Sequence, residues 1–122
     1  MWKAKWRHGV HSPFVYQFIE DGLQKIKMGS LKELIAIYFG EDTLAFADGD
    51  AGTWQQFMSA YTGTNKIIAV KNIHQTPQYT RQWQQLINDK QVTLSIDLFE
   101  YGLIFFNKEF KEKQHFILKY PA

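Results

Sequence analysis

The stretch QVTLSIDLFEYGLIFFN, residues 91–107, decides the fold of this chain. Every second residue from 92 to 98 is apolar, which is typical of a strand with one apolar face. Residues 103–106 are apolar without a break, which is typical of a strand buried on both faces. We therefore expect a hairpin that turns at residues 100–102, with a half-buried first strand and a deeper second strand, inside a larger sheet covered by helices.

Length and composition favour one globular domain over residues 1–122. Hydrophobic residues make up 45% of the chain and aromatic residues 16%, enough for a substantial core. The net charge of +2 is too small to indicate a nucleic acid or membrane partner. The chain has no cysteine, and no apolar run approaches the ~20 residues that span a bilayer, so we expect a soluble cytoplasmic protein.

The first eleven residues form a basic arm in which Lys3, Lys5 and Arg7 alternate with two tryptophans. Three cations are few, so the pattern favours tryptophans that pack on the body over an arm that binds nucleic acid or a membrane. His8 and His11 lie three residues apart, but no third ligand is nearby. We predict no metal site.

Periodicity and capping residues predict an alternation of helices and strands. In chain order these are helices at about 13–27 and 31–39, a strand at 43–48, a helix at 53–61, a strand at 66–71, a helix from the Thr76-Pro77 cap to about 88, the hairpin, and a last strand at 115–120. Two strand–helix steps with short loops predict parallel strands. The sheet should therefore begin parallel and end in the antiparallel hairpin.

A glycine-containing turn follows the first predicted strand. Gly49, Asp50 and Gly52 come directly after Asp48, and a helix follows them. This is the layout of a nucleotide-binding strand–turn–helix unit. Two glycines three apart also describe any tight turn, so both interpretations stay open.

Long segments of the chain resemble a known family. RHGVHSPFVYQFIEDGL, residues 7–23, and VTLSIDLFEYGLIFFNKEFKEKQHFILKY, residues 92–120, resemble the two ends of a family of bacterial class I S-adenosylmethionine-dependent methyltransferases. KIIAVKNIHQTPQYTRQW, residues 66–83, is similar to the family's fifth strand and following helix. The resemblance implies an α/β, reduced Rossmann-like methyltransferase fold of about four to five strands with two N-terminal helices. It also implies that residues 103–106 are inserted beside residues 66–71.

The chain departs from this family in its interior. A family member is roughly twice this length, because a full methyltransferase domain needs seven strands and their crossovers. At least two or three strand–helix units are therefore missing. Residues 31–52 resemble either the family's first strand with its glycine loop or its fourth strand with an Asp-Gly. Where the family tends to carry paired acids after the fifth strand, this chain has Lys71-Asn72, and a lysine would repel a sulfonium.

The resemblance limits which residues remain for a cofactor site. The cofactor-binding candidates are Asp48, Gly49, Asp50, Gly52 and Asn72, and the catalytic candidate is His74. Histidine is the commonest general base near neutral pH. The alternative for His74 is a loop residue that caps or solvates the end of a strand.

Two functions follow from the resemblance and its gaps. We expect a methyltransferase-like protein that has lost S-adenosylmethionine binding, has no cofactor, and acts as a non-catalytic binding or assembly module. The missing strands should leave an exposed edge at residues 43–48, which predicts a homodimer or strand exchange. The alternative is an active methyltransferase whose S-adenosylmethionine site is completed by a second chain.

Overall fold

A computed structural model of the chain describes residues 3–4, 17, 31–48, 58–107 and 113–119. The strands are β1 Lys3–Ala4, β2 Leu44–Asp48, β3 Ile67–Lys71, β4 Leu94–Asp97, β5 Tyr101–Phe105 and β6 Gln114–Lys119. The helices are α1 Leu31–Phe39 and α2 Pro77–Ile87, with a short 3₁₀ turn at Glu41–Thr43 and further helical residues at 58–61. The described chain is thus a mixture of helices and strands, as predicted.

The described strands form one mixed sheet in the order β1-β6-β4-β5-β3-β2. The pairs β2–β3 and β4–β6 are parallel, whereas β5 is antiparallel to both β3 and β4. The predicted parallel start and antiparallel hairpin are confirmed, and so is the insertion of residues 103–106 beside residues 66–71. Five longer strands are extended by the two-residue β1, which belongs to the segment that we expected to be an arm.

Each described helix follows from its sequence. In α1, Ile35 is fully buried while Ile37, on the opposite side, is 83% exposed. Helix α2 begins at the predicted cap, where the Thr76 hydroxyl accepts the Tyr79 N–H at 3.1 Å and Pro77 has no amide hydrogen to lose. Other predicted helices lie mostly outside the described residues: Gln17 of the helix at 13–27, and residues 58–61 of the helix at 53–61, are the helical parts described.

The sheet has a covered core on each face. We call the side that packs on α1 the α1 face and the side that packs on α2 the α2 face. The buried residues of the α1 face are Ile35, Leu44, Ile67, Ala69, Leu94, Ile96, Leu98, Tyr101, Leu103, Phe105, Phe116 and Leu118. Those of the α2 face are Ala47, Met58, Ile68, Val70, Ile73, Trp83, Leu86, Val92, Ile104 and Phe106. Side chains alternate between the two faces because the strand repeat is two residues.

The prediction that β4 is half-buried is wrong. All four of its residues are buried, including Ser95 at 1% and Asp97 at 5% exposure. The reason is that β4 lies inside the sheet, between β5 and β6, and that its polar side chains find histidine partners. The second strand, β5, is therefore no deeper than the first.

The turn of the hairpin lies at residues 98–100 and not at the predicted 100–102. The Leu98 N–H donates to the Tyr101 carbonyl at 2.8 Å, which closes the turn before Tyr101. Gly102 is already inside β5, and a Cβ on it would lie 2.3 Å from the ring of Trp83. This glycine therefore makes room for an aromatic ring and does not make the turn. The last strand, β6, runs one residue earlier than predicted, from Gln114 to Lys119.

In the part of the chain that the structure describes, no helix is long and apolar enough to cross a membrane.

Candidate functional site

The carboxyl ends of β2, β3, β4 and β6 lie at one edge of the sheet, which we call the carboxyl edge. In open α/β sheets, ligands bind outside this edge. Asp48 ends β2, Asn72 and His74 follow β3, and Asp97 ends β4. Three predicted site residues thus lie at the carboxyl edge, whereas Gly49, Asp50 and Gly52 lie outside the described residues.

The structure does not bring these residues into a single cluster. Asp48 has the parity of Leu44 and Phe46, which pack on the α1 face. His74 contacts Asp97, which has the parity of Ser95 and therefore lies on the α2 face. A cofactor that touched both Asp48 and His74 would have to reach around the end of the sheet.

His74 is held by hydrogen bonds at both ring nitrogens. Its Nε2 lies 2.6 Å from Oδ2 of Asp97, and its Nδ1 lies 3.1 Å from the hydroxyl oxygen of Thr80. A carboxylate can only accept, so Nε2 carries a hydrogen and donates it to Asp97. The Thr80 hydroxyl also lies 3.3 Å from the Ile73 carbonyl. The imidazole is therefore fixed in place by α2 on one side and β4 on the other.

Asp97 also holds the hairpin turn. Its Oδ1 accepts the Phe99 N–H at 2.8 Å, so each carboxylate oxygen binds a different segment of the chain. Phe99 has a φ of 73°, a left-handed conformation that costs an ordinary L-residue about 1–2 kcal/mol. Its ring stacks on the His74 imidazole, with centroids 5.2 Å apart and planes 29° apart, yet the residue is 71% exposed.

The loop after β3 is tied to the same turn. Asn72 also has a left-handed φ, of 65°, and its N–H donates to the Glu100 carbonyl at 2.7 Å. Two non-glycine residues with a positive φ, Asn72 and Phe99, thus lie on two loops that are joined by this hydrogen bond at the carboxyl edge. Such strain persists only where surrounding contacts hold it, and it concentrates at functional sites.

A second histidine, His115, lies on the α2 face. Nδ1 of His115 lies 2.6 Å from the Ser95 hydroxyl. Burial lowers the pKa of His115, and the negative charge of Asp97 acts in the opposite direction. The ring of Trp83 lies 6.4 Å from this imidazole, and its buried Nε1 has no hydrogen-bond partner within the described structure. The apolar core of the α2 face thus includes two polar pairs, His74 with Asp97 and His115 with Ser95.

On the α1 face, Lys71 lies between an acid and a phenol. Its Cα is paired with that of Asp48 in β2 and with that of Tyr101 in β5. Burial raises the pKa of the Tyr101 hydroxyl, and the charge of Glu100 adds to this effect. Lys71 thus places a positive charge on the strand position next to Asp48.

Among the described residues, two cavities lie away from the carboxyl edge, and neither is lined by Asp48, Asn72 or His74. One, of about 700 Å³, lies between the helical end near Met58 and the end of α2 near Asp89. The other, of about 230 Å³, is lined by residues such as Phe39, Lys66 and Phe105. Among the described residues, no group of three or more histidine or acidic side chains is arranged to hold a metal ion.

Sequence reasoning missed Asp97, Thr80 and Phe99 as site residues. It placed Asp97 on the mixed face of a half-buried strand and gave no partner to His74. The available signal was an acid within a strand that is otherwise apolar, since a buried carboxylate needs a donor. Which donor it finds depends on the pairing of β4 with its neighbours.

Comparisons of the chain with models of known protein families, with curated proteins and with solved structures give no match.

Proposed function

We propose that this chain is a methyltransferase-like protein that no longer binds S-adenosylmethionine and acts as a non-catalytic assembly module. It forms a homodimer through the exposed edge of β2. The observation that carries this proposal is the end position of β2: among the described residues, it pairs with β3 alone. A parallel strand with one unpaired edge presents backbone donors and acceptors that another chain can pair with.

The strand order supports the Rossmann-like interpretation of the fold. In a doubly wound sheet of order 3-2-1-4-5, the fourth strand is the direct neighbour of the fifth. Here β3 has the sequence that resembles the family's fifth strand, and β2 is its direct parallel neighbour. This favours β2 as the equivalent of the fourth strand over the first. The missing strands would then belong beyond the free edge of β2.

The geometry at His74 supports a non-catalytic role. A general base needs a ring nitrogen within reach of the proton that it removes. Both nitrogens of His74 are already engaged, with Asp97 at 2.6 Å and Thr80 at 3.1 Å. Lys71 stands where the family tends to carry an acid, which further disfavours a cationic cofactor.

The sequence of β2 suits pairing with a copy of itself. A two-fold axis perpendicular to the sheet makes the two β2 strands antiparallel and joins α1 face to α1 face. A register centred on Phe46 sets Phe46 opposite its copy, Ala45 opposite Ala47, and Leu44 opposite Asp48. Aromatic pairs directly opposite each other are favourable. A register centred on Ala45 would instead set Asp48 opposite Asp42 of the other copy, and like charges there are unfavourable.

Sedimentation equilibrium of variants that carry a charge at position 46 tests the dimer. The unchanged chain should be a dimer at micromolar concentration, whereas Phe46→Glu and Phe46→Lys should each be monomeric because like charges would face each other. Mixing the two variants should restore a dimer. Ile37→Glu, at the 83% exposed position of α1, is the control for an added charge and should stay dimeric. Because Phe46 also contacts Tyr101 and Lys32, circular dichroism of the Phe46 variants must show that they are folded. An unchanged chain that is monomeric at high micromolar concentration would contradict the proposal.

The alternative function is an active methyltransferase whose site is completed by a second chain. The observation that favours it is the position of Asp48, Asn72 and His74 at the carboxyl edge, where doubly wound folds bind their ligands. Titration calorimetry with S-adenosylmethionine decides between the two functions. Binding tighter than about 100 μM, or about 5.5 kcal/mol, would favour the enzyme, and absence of binding would favour the assembly module.

A further inference from the structure

A small pocket lies at the edge of the sheet opposite the carboxyl edge. Its lining includes Ile67, the first residue of β3, and Phe105, the last residue of β5, and these two residues are paired in the sheet. The pocket has a volume of about 230 Å³. Pockets for drug-sized ligands begin at about 300 Å³, so this pocket suits a smaller molecule with a single ring.

Three phenylalanine side chains form most of the apolar lining. Phe39 comes from the end of α1, whereas Phe105 and Phe106 come from the end of β5. The rings of Phe39 and Phe105 are already in edge-to-face contact, with centroids 5.9 Å apart. Phe105 belongs to the core of the α1 face and Phe106 to that of the α2 face. The apolar wall is therefore held by both cores, and its rings favour an aromatic ligand.

The polar part of the lining consists of groups that can donate hydrogen bonds. Lys66 is exposed, and its ammonium group donates to the backbone carbonyl of Asp42. An ammonium group has three donors, so this bond positions Lys66 and leaves two donors for a ligand. The carboxamide of Asn65 and the hydroxyl of Thr43 line the same pocket and can also donate.

The charge of the lining selects an anion. Among the described residues that line the pocket, Lys66 alone carries a charge. The nearby acids Glu41 and Asp42 are exposed and do not line it, and Asp42 contacts the lysine through its carbonyl group. One ammonium group balances a carboxylate, whereas a phosphate group carries a charge of about −1.5 to −2 at pH 7. Aromatic walls beside one fixed cation thus fit a ring that carries one carboxylate.

We propose that this pocket binds the monoanion of a small aromatic carboxylic acid. The ring packs on the three phenylalanine side chains, and the carboxylate accepts hydrogen bonds from the Lys66 ammonium group and from Asn65. The pocket includes neither Phe46 nor His74, so the proposal does not depend on dimer formation or on the absence of S-adenosylmethionine binding.

Benzoate is a suitable probe, and benzamide is its matched uncharged control. In an amide NMR titration of the full chain at pH 7, benzoate should shift the signals of residues 65–67 and 105–107. A ligand of this size should bind with a Kd of about 1 mM. Benzamide keeps the ring but loses the charge-assisted hydrogen bond, so it should bind at least about tenfold more weakly.

Substitutions of Lys66 separate recognition of the carboxylate from apolar contact. Lys66→Met keeps an unbranched side chain without its charge, and it should reduce benzoate binding to the level of benzamide. Lys66→Arg keeps a cation and should retain benzoate binding. Lys71→Met, at the exposed end of β3 on the carboxyl edge, is the matched control and should leave benzoate binding unchanged. Dispersed amide spectra of the variants would show that they are folded.

Two results would overturn the proposal. One is the absence of shifts at residues 65–67 and 105–107 in the unchanged chain at benzoate concentrations up to ~20 mM, well above the expected Kd. The other is benzoate binding that Lys66→Met leaves unchanged or that benzamide equals, because the pocket would then not select a carboxylate.

Discussion

The two faces of β4 are equally buried but differently built. Leu94 and Ile96 point into the apolar core of the α1 face, whereas Ser95 and Asp97 point into the α2 face. An apolar side chain needs only apolar neighbours of suitable volume. A buried polar side chain needs a partner at hydrogen-bond distance, and here the partners come from 20 and 23 residues away in the chain. The burial of the apolar side chains of β4 therefore follows from a local sequence pattern, whereas the burial of its polar side chains depends on partners that only the assembled sheet brings close.

The largest loss of stability should come from truncating a buried side chain on the α1 face. Ile96 is fully buried, so Ile96→Ala should lower the free energy of unfolding by about 4 kcal/mol through lost burial and a cavity. Urea denaturation followed by circular dichroism measures this. Ile37→Ala, at an 83% exposed position, is the control and should have little effect. A loss below about 1 kcal/mol for Ile96→Ala would mean that β4 is not central.

On the α2 face, Asp97→Ala should cost about 3 kcal/mol, because it leaves the Phe99 N–H and His74 without their acceptor. Asp97→Asn keeps an oxygen that can accept the Phe99 N–H and should cost about half as much. The same urea experiment measures both variants. Equal losses of stability for Asp97→Ala and Asp97→Asn would contradict a separate contribution from the hydrogen bond to the Phe99 N–H.

Packing between β5 and α2 offers a third comparison within the α2 face. Gly102→Ala would place a Cβ 2.3 Å from the buried ring of Trp83. The strand or the helix must then shift, which should cost about 2 kcal/mol. The shift should also change the fluorescence of the tryptophans. Unchanged stability and emission would show that α2 does not pack closely on β5.

Much of the α1 face and the succession of helices and strands could be predicted from the sequence, because short-range signals determine them, whereas the insertion of residues 103–106 beside residues 66–71 was expected only from the resemblance. The Thr76-Pro77 pair marks the start of α2, and the apolar run at 103–106 indicates a central strand. The exposed Ile37 and buried Ile35 follow the helical repeat of α1.

The candidate site could not be predicted in the same way. His74 and Asp97 are 23 residues apart, and their contact requires β5 to lie between β3 and β4. The predicted position of the turn is also wrong. Gly102 suggests a turn, but the structure needs a glycine there because a Cβ would collide with the ring of Trp83. Local propensity describes the backbone of a single residue. The contact between His74 and Asp97 and the need for a glycine at position 102 both depend on residues that are distant in sequence.

The smallest effect should be a pH dependence that belongs to the α2 face. Burial lowers the pKa of His115 below its unfolded value of about 6.5. As the pH falls below that value, the unfolded chain binds a proton that the folded chain still resists, so stability decreases until the folded pKa is passed. Urea denaturation at pH 7.5 and 5.5 should show a loss that is smaller in His115→Gln. An equal loss in both chains would assign the effect to other groups.

A single cysteine at position 46 can show whether β2 pairs with a second copy of itself around Phe46. The chain has no cysteine, so Phe46→Cys introduces the sole thiol. Residues directly opposite in antiparallel strands have Cα atoms about 4.5–5.5 Å apart, within the range that a disulfide bridges. Mild oxidation followed by non-reducing electrophoresis should give a covalent dimer for Phe46→Cys and not for the exposed control Ile37→Cys. A dimer in sedimentation without a Phe46→Cys crosslink would refute this register, and a chain that neither sediments as a dimer nor crosslinks would show that β2 does not pair with a second copy.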